Sequence, residues 1–345
     1  MTKLDDKDQT RVVDAVSDEE EQLYQSLRAG SWGEFAGQEK VKKSLKIALT
    51  AARGRGEVLE HTMFYGPPGL GKTTLAHIIA REMGANIRIT SGPALERAGD
   101  LASILTNLER GDVLFIDEIH RLNKMVEESL YPVMEDFGLD IVLGKGPGAR
   151  TVRLELEPFT IVGATTQVGR ISAPLRDRFG VVQRLTFYED SELARIIEAA
   201  ASKLKIKMGA AAAAVLASRS RKTPRVALKL LKRVRDFAQV YDHGEIDEEV
   251  VKKALKVHEV DELGLDSGDR MILLAIIEKH GGGPVGLSTL SATVAEDVAT
   301  IEDVYEPFLM RAGLLRRTPK GRVATARAYE HLGIVVEGGA QAKLL

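Results

Sequence analysis

A glycine-rich segment, residues 66–73 with the sequence GPPGLGKT, has the residues and spacing of a P-loop, which binds the phosphates of a nucleotide. It lies between a predicted strand and a predicted helix, the context that this motif requires. Glycines such as Gly69 and Gly71 let backbone N–H groups turn towards one phosphate, and the start of the following helix adds partial positive charge. The segment predicts a phosphate site; the alternative is a glycine-rich turn that matches by chance.

Three side chains at the end of this segment are of the kinds that bind a nucleotide together with a metal ion. Lys72 is placed to reach the β- and γ-phosphates, and Thr73 offers its hydroxyl to Mg²⁺. Thr74 adds a further contact to the same anion cluster. The predicted cofactors are therefore ATP and Mg²⁺.

Two carboxylates follow an apolar run, Val113–Ile116, that is typical of a buried strand. Asp117 is predicted to orient the metal ion, and Glu118 to polarise an attacking water molecule. His120 is expected to support this site structurally rather than take part in the chemistry. The alternative is a strand end that carries solvated acids.

A pair of threonines ends another predicted strand, Phe159–Val162. We expect the second of them, Thr166, to hydrogen-bond the attacking water or the γ-phosphate. An ordinary helix or turn cap is the alternative.

Strands and helices alternate along the first half of the chain, which predicts a mostly parallel sheet covered by helices on both faces. The predicted strands are His61–Tyr65, Ile87–Thr90, Val113–Ile116, Phe159–Ala164 and Val182–Phe187, and the helices are Glu39–Arg53, Thr73–Met83 and Leu101–Leu108.

After Tyr188 the pattern becomes helical, and near the C-terminus it ends in three helices and a hairpin, which suggests a winged helix. The predicted helices are Glu192–Leu204, Ala210–Arg219, Val226–Tyr241, Asp247–His258, Arg270–Lys279, Leu287–Val294 and Ile301–Gly313, followed by the hairpin Leu314–Thr325. The expected domains are a flexible leader (1–22), an ATPase domain (23–188), a small helical domain (189–260), a winged helix (261–335) and a tail (336–345).

The composition narrows the class of protein. The chain has no cysteine, which excludes disulfides and thiolate metal sites and makes the cytoplasm the default compartment. Its 48 basic and 50 acidic residues nearly balance, so a polyanion partner would need a local basic surface. No stretch is apolar enough to predict a membrane span.

The chain resembles the AAA+ ATPases in the order of its elements. These are the P-loop, the strand end with the sequence DEIH at residues 117–120, Thr166, the helical segment and the winged helix. Many blocks between Arg28 and Gly333 are similar, more closely, to the RuvB family of Holliday-junction motors, among them GPPGLGKTTLA, LFIDEIHRLN, PLRDRFG, TPRVALKLLKRVRDFA, GGGPVGL and RTPKGRVAT. The resemblance implies an α/β fold with an AAA+ P-loop core and parallel sheet, a small helical lid domain and a C-terminal winged-helix domain.

The same resemblance implies an ATP hydrolase that drives branch migration of Holliday junctions in DNA recombination, DNA repair and the SOS response. Its implied partners are duplex DNA, RuvA, and RuvC in the resolving complex, and its implied assembly is a homohexamer. An ATP-controlled DNA-binding switch, such as a replication initiator or loader, is the alternative, because it also joins an AAA+ core to a winged helix.

The resemblance also assigns roles to single residues. Arg178 matches the arginine finger that reaches the γ-phosphate of a neighbouring subunit, with Arg176 as second choice, and Arg225 matches a second sensor. Six further residues match positions that bind the nucleotide or belong to a neighbouring segment: Leu27, Arg28, Glu135, Asp136, Phe137 and Tyr188. The chain departs from the family at Phe35–Ala36, which keeps the base pocket apolar but alters its shape, and at Gln167, which replaces an arginine.

Residues 137–157 read as a hairpin with a glycine-rich tip at Gly144–Gly148, which a bare AAA+ core would not need. It resembles the RuvA-binding hairpin of the family, in which Val152 and Leu154 would present apolar side chains to the partner. A hairpin packed against its own domain is the alternative.

A basic stretch without Asp or Glu between residues 311 and 327 falls on the predicted wing. On this interpretation Arg317 and Arg322 lie along DNA phosphates and bind them without regard to sequence. A solvated run of charges is the alternative.

Overall fold

The computed structural model describes residues 26–143, 150–241 and 244–335. It contains two compact units, one of residues up to Leu204 together with Thr223–Leu228, the other of Lys205–Lys222 and the residues from Lys229 onward. The predictions for residues 1–22, for the hairpin tip Gly144–Gly148 and for residues 336–345 lie outside the described residues.

The first unit contains a parallel sheet and a separate hairpin. Its strands are β1 (Thr62–Tyr65), β2 (Ile87–Ser91), β3 (Val113–Asp117), β4 (Gly138–Leu143), β5 (Arg150–Glu155), β6 (Thr160–Thr165) and β7 (Val181–Arg184). Five of them form the parallel sheet in the order β2-β3-β6-β1-β7, and β4 pairs with β5 in an antiparallel hairpin. The central strands β1, β3 and β6 are buried along almost their whole length, because both faces of a parallel sheet are covered.

The helices of this unit are α1 (Glu39–Arg55), α2 (Lys72–Met83), α3 (Ala98–Leu105), α4 (Lys124–Asp136), α5 (Ala173–Arg176) and α6 (Asp190–Lys203). Helix α1 ends at Gly56 and α2 at Gly84, each in the left-handed conformation that glycine adopts without strain. The sequence did not predict α4. It begins at Asn123, whose side chain accepts a hydrogen bond from the Val126 N–H, and it contains Pro132.

A core of apolar side chains lies between this sheet and helices α3, α4 and α5. Leu114, Leu130, Phe159 and Leu175 are completely buried in it. Burying a side chain of this size contributes about 1.5–3 kcal/mol to folding. The core fixes the strand ends from which the candidate site is built.

The second unit is helical and contains a two-stranded hairpin that is followed by one more helix. Its elements are α7 (Ala210–Ser218), α8 (Pro224–Val240, which begins in the first unit), α9 (Glu248–Val257), α10 (Ser267–Leu274), α11 (Leu287–Val294), α12 (Val298–Thr300), α13 (Glu306–Arg311), β8 (Leu315–Thr318), β9 (Gly321–Ala324) and α14 (Ala326–Leu332). Helix α10 continues in a π-helical turn, Ala275–Lys279, and a second such turn, Ile301–Tyr305, joins α12 to α13.

The predicted fold class is confirmed: a parallel-sheet core is followed by a helical segment and by helices with a two-stranded wing. Among the residues that the structure describes, no helix is long and apolar enough to cross a membrane.

Candidate functional site

The sheet brings the three predicted catalytic segments to one edge. Strand β6 lies between β1 and β3, with Tyr65 opposite Thr165 and Ile116 opposite Gly163. Because the strands are parallel, their carboxyl ends meet at the same edge, and ligands of open α/β sheets bind there. The P-loop follows β1, Asp117 ends β3 and Thr165 ends β6, so the three segments converge.

Lys72 lies inside the P-loop. Its side chain is buried, and Nζ donates hydrogen bonds to the Gly66 and Pro67 carbonyls at 2.9 and 3.0 Å. Burial lowers the pKa of Lys72, while the nearby charges of Asp117 and Glu118 raise it. An ammonium in this place can exchange loop carbonyls for the oxygens of a bound phosphate, as the sequence predicts.

Gly69 and Gly71 adopt conformations that favour glycine, with φ angles of 78° and 96°. The carbonyl of Gly69 accepts a hydrogen bond from the Arg225 N–H at 3.3 Å. A side chain at Gly69 would come within 2.9 Å of the Arg225 Cβ. The structure therefore places Arg225, the predicted second sensor, directly beside the P-loop, and its side chain is exposed.

Glu118 is linked to Thr166, the threonine that is predicted to hydrogen-bond the attacking water or the γ-phosphate. Thr166 Oγ1 donates a hydrogen bond to Glu118 Oε2 at 3.2 Å, and His120 Nδ1 lies 3.1 Å from the same oxygen. His120 is also 2.9 Å from Thr165 Oγ1. Burial lowers the pKa of His120, although Glu118 opposes this, so the neutral imidazole is favoured.

The two threonines at the end of β6 have different surroundings. Thr165 Oγ1 accepts a hydrogen bond from the Gln167 N–H at 2.9 Å, as an ordinary cap would. Thr166 instead faces Glu118. The hydroxyl of Thr166 thus lies beside the carboxylate that is predicted to polarise the water.

A partly open cleft adjoins the P-loop. Five predicted nucleotide-binding residues line it: Leu27, Arg28, Gly71, Thr74 and Tyr188. The Tyr188 ring is buried, and its hydroxyl donates to the Leu70 carbonyl at 3.0 Å. Burial raises the pKa of Tyr188, so its phenol stays protonated.

The cleft wall also contains residues that were not among those predicted to bind the nucleotide. Phe35 and Ala36, the departures from the family pattern, lie in its wall, and the Phe35 ring is 3.3 Å from the point that a Cβ at Gly71 would occupy. Lys203, which the sequence analysis missed, also lines the cleft and donates from Nζ to the Arg28 carbonyl at 2.9 Å. Its only sequence signal is a basic residue in the last turn of a helix.

The predicted arginine finger has a defined environment. Arg178 Nη2 lies 2.8 Å from Glu135 Oε1, and Nη1 donates to the Pro174 carbonyl at 2.6 Å. The Arg178 guanidinium stacks on the Tyr131 ring, 4.3 Å from its centroid. Arg176, the second choice, makes only a long ion pair with Asp177, at 4.0 Å, among the contacts described for its charged group.

Glu135, Asp136 and Phe137 do not line the cleft, to judge from the residues that the structure describes there. Asp136 pairs with Arg153 at 3.2 Å, and the Phe137 ring packs against Phe159 at 6.0 Å between centroids. The structure brings Glu135 together with Arg178 instead.

The two apolar residues of the β4–β5 hairpin differ in exposure. Val152 lies opposite Ile141 and is 39% exposed, whereas Leu154 lies opposite the buried Leu139 and packs against the core of the first unit. The exposure of Val152 thus fits a partner-binding hairpin, whereas the packing of Leu154 fits a hairpin packed against its own domain. Val152 is available to a partner, and Leu154 anchors the hairpin.

The wing corrects the prediction for Arg322. Its side chain is only 9% exposed and is hydrogen-bonded through two nitrogens to the buried carboxylate of Glu306, with Nη2 3.1 Å from Oε2. Arg317 is 54% exposed and lies 3.1 Å from Glu302. The acids come from residues that precede the basic stretch. Arg322 is therefore an internal ion-pair partner, and Arg317 is the more exposed of the two side chains.

This ion pair predicts a stability difference. Glu306→Gln should lower the free energy of unfolding around the wing by about 3 kcal/mol, because it leaves the buried Arg322 charge without its partner. Glu302→Gln, the matched control, removes a half-exposed carboxylate and should cost no more than about 1 kcal/mol. Urea-dependent hydrogen exchange of the β8 and β9 amides measures both effects. Equal losses would show that burial of the pair does not matter.

Comparison with known proteins decides the family. The "Holliday junction DNA helicase RuvB P-loop domain" matches residues 27–185, the "RuvB AAA lid domain" residues 188–261, and the "RuvB C-terminal winged helix domain" residues 262–333. The chain belongs to the RuvB family. The resemblance predicted from the sequence is thereby confirmed.

Relatives in the RuvB family align over nearly the whole chain. The Holliday junction branch migration complex subunit RuvB of Chloroflexus aggregans is 59% identical over 325 residues, which cover 94% of this chain and 93% of the relative. Its counterpart from Chloroflexus aurantiacus is 58% identical over the same length. The solved RuvB Holliday junction branch migration motor of Thermotoga maritima is 52% identical with a TM-score of 0.81, covering 90% of this chain and all of that one.

Proposed function

We propose that the chain is the ATP-driven motor that moves Holliday junctions during DNA recombination and repair. The observation that carries the proposal is the meeting of the P-loop, Asp117 and Glu118, and Thr166 at one sheet edge, in a chain whose three regions match RuvB. The motor works in the cytoplasm as a homohexameric ring on duplex DNA. It acts with RuvA, and with RuvC when the junction is resolved.

The residues present fit Mg²⁺ bound with ATP. The hydroxyl of Thr73 and the carboxylate of Asp117 are hard oxygen donors, which Mg²⁺ prefers, and phosphate oxygens and water complete such sites. Asp117 Oδ1 also accepts a hydrogen bond from the Glu118 N–H at 2.9 Å, which fixes the carboxylate at the strand end. When bound, the ion neutralises charge between the β- and γ-phosphates.

The chain's own residues account for the remaining steps of hydrolysis. Lys72 binds the β- and γ-phosphates, and Thr166 orients the attacking water. Glu118 accepts a proton from that water as its oxygen bonds to the γ-phosphorus, while the bond from that phosphorus to the bridging oxygen breaks and ADP leaves. Arg178 reaches the γ-phosphate of the adjacent subunit, so hydrolysis depends on ring assembly. Arg225 adds charge beside the P-loop from the first turn of α8.

The rest of the chain fits the motor better than the alternative of a replication initiator or loader. The RuvB relatives span the whole architecture, and the extra hairpin supplies an exposed apolar residue for RuvA. The proposed domains of the motor are 23–188, 189–260 and 261–335. Arg317 supplies a phosphate contact that does not depend on DNA sequence.

The decisive test is branch migration of a synthetic four-way junction with homologous, fluorescently labelled arms. Purified protein with RuvA, ATP and Mg²⁺ should convert the junction to two-armed products, and a non-hydrolysable ATP analogue should not support conversion. Protein that hydrolyses ATP on duplex DNA but never moves the junction would contradict the proposal.

The RuvA contact predicts a separate effect of Val152→Asp. A buried, unpaired carboxylate at this place should weaken RuvA binding about tenfold or more, while ATP hydrolysis without RuvA stays unchanged. Thr151→Asp is the matched control, because Thr151 is exposed and the neighbouring residue in a strand points to the other face. Titration of labelled RuvA measures both variants, and equal affinities would exclude Val152 from the interface.

A further inference from the structure

The aromatic ring of Tyr131, on α4, supports the guanidinium of Arg178. The guanidinium carbon lies 4.3 Å from the ring centroid, within the range of a cation–π contact. Pro174 and Glu135 hold the two terminal nitrogens, and Nε is buried without a hydrogen-bond partner among the described residues. The ring is therefore the contact that supports the flat face of this group.

The Tyr131 ring is itself held in place by the segment that leads to Arg178. The Tyr131 hydroxyl donates to Glu127 Oε1 at 2.7 Å and lies 3.4 Å from Ser172 Oγ. Ser172 also hydrogen-bonds Glu127, and it caps α5 by accepting from the Leu175 N–H at 3.2 Å. Tyr131 thus touches the guanidinium with its ring and the start of α5 with its hydroxyl.

We propose that Tyr131 is a positioning residue for Arg178. The Tyr131 ring holds the Arg178 guanidinium in the orientation in which it meets the γ-phosphate of the neighbouring subunit. This inference rests on the proposed role of Arg178 in trans. An unsupported arginine loses much rotamer entropy when it binds phosphate, and a ring that fixes the guanidinium beforehand reduces that loss. On this proposal Tyr131 acts on the reaction through Arg178 and is not itself a ligand of the phosphate.

Two substitutions separate the ring from the hydroxyl. Tyr131→Leu removes the π face and should lower the kcat of ATP hydrolysis about tenfold, the worth of a largely desolvated cation–π contact. The KM for ATP should change little, because Tyr131 is not among the described residues that line the nucleotide cleft. Tyr131→Phe keeps the ring and should retain most of the rate.

Mixed rings locate the effect in one of two neighbouring subunits. Lys72→Ala subunits keep Arg178 but cannot use their own nucleotide, whereas Arg178→Ala subunits have an intact P-loop and no finger. A mixed ring should hydrolyse ATP only where a Lys72→Ala subunit, the donor, supplies its Arg178 to the nucleotide of an Arg178→Ala subunit, the acceptor. Tyr131→Leu should lower that rate about tenfold when added to the donor, and hardly at all when added to the acceptor.

Each outcome of this experiment decides a different point. Loss on the donor alone, with Tyr131→Phe retaining activity there, supports the positioning role. Equal loss from either placement, in a mixture whose parent variants are active together, shows a merely structural role and overturns the proposal. An inactive mixture of the parent variants overturns the action of Arg178 in trans, and the inference about Tyr131 with it.

Discussion

Arg178→Ala should lower the kcat of ATP hydrolysis by about a thousandfold or more while leaving the KM for ATP nearly unchanged. An arginine supplied to a phosphoryl group from a neighbouring subunit stabilises charge that develops in the transition state, and such arginines contribute about 10³–10⁵ to the rate. Arg178 suits this role because its guanidinium is supported on one face by Tyr131, and because it is not among the described residues that line its own subunit's cleft. Steady-state hydrolysis by rings on duplex DNA gives both constants.

Arg176→Ala is the matched control for this prediction. It removes the same charge two residues away, from a side chain whose described ion pair is a long one, 4.0 Å from Asp177. Its effect should stay within about threefold, in line with the small worth of exposed ion pairs. If Arg176→Ala loses as much activity as Arg178→Ala, the two arginines share the role. If only Arg176→Ala loses activity, the assignment is reversed.

The sheet and its catalytic edge could be predicted because each signal is local. The glycines of residues 66–73 and the apolar run that ends at Asp117 need only their neighbours in sequence to be interpreted. Parallel pairing then brings the carboxyl ends together, so Tyr65, Asp117 and Thr165 meet without further information. For this reason the predicted and observed strands agree within a few residues.

Helix α4 could not be predicted in the same way. Pro132 lies inside it and removes a backbone donor, which argues against a helix at the level of sequence. Tertiary packing decides otherwise, because Val126, Leu130 and Val133 are completely buried in the core. The support that α4 gives to Arg178 through Tyr131 remains hidden until the helix is known.

On the wing, the sequence predicts more solvent-accessible basic side chains than the structure shows. No Asp or Glu lies within residues 311–327, but Glu302 and Glu306 precede this stretch by only a few residues. In the folded chain, Glu302 pairs with Arg317 and Glu306 with Arg322. Burial of Glu306 commits Arg322 to an internal pair. Charge counting along the chain cannot foresee a partner that folding supplies.

Glu118→Gln should lower kcat by about a hundredfold to ten-thousandfold while ATP still binds, because a positioned general base contributes about this much. The substitution keeps the size of the side chain and an oxygen that can accept the hydrogen bond from Thr166. It removes the negative charge that also acts on Lys72 and His120, and with it the ability to take a proton from water. Nucleotide affinity from equilibrium titration, together with single-turnover hydrolysis, separates binding from chemistry.

Asp117→Asn tests whether the two carboxylates have different roles. Asp117 is expected to act through Mg²⁺, so its amide variant should lose rate and also require more Mg²⁺ for half-maximal activity. Glu118→Gln should keep the normal Mg²⁺ requirement, since its carboxylate faces Thr166 and His120. A raised Mg²⁺ requirement in both variants would make Glu118 part of the metal site. An unchanged rate in Glu118→Gln would assign the base to another group, and the hydrogen bond from Thr166 would then serve only to order the end of β6.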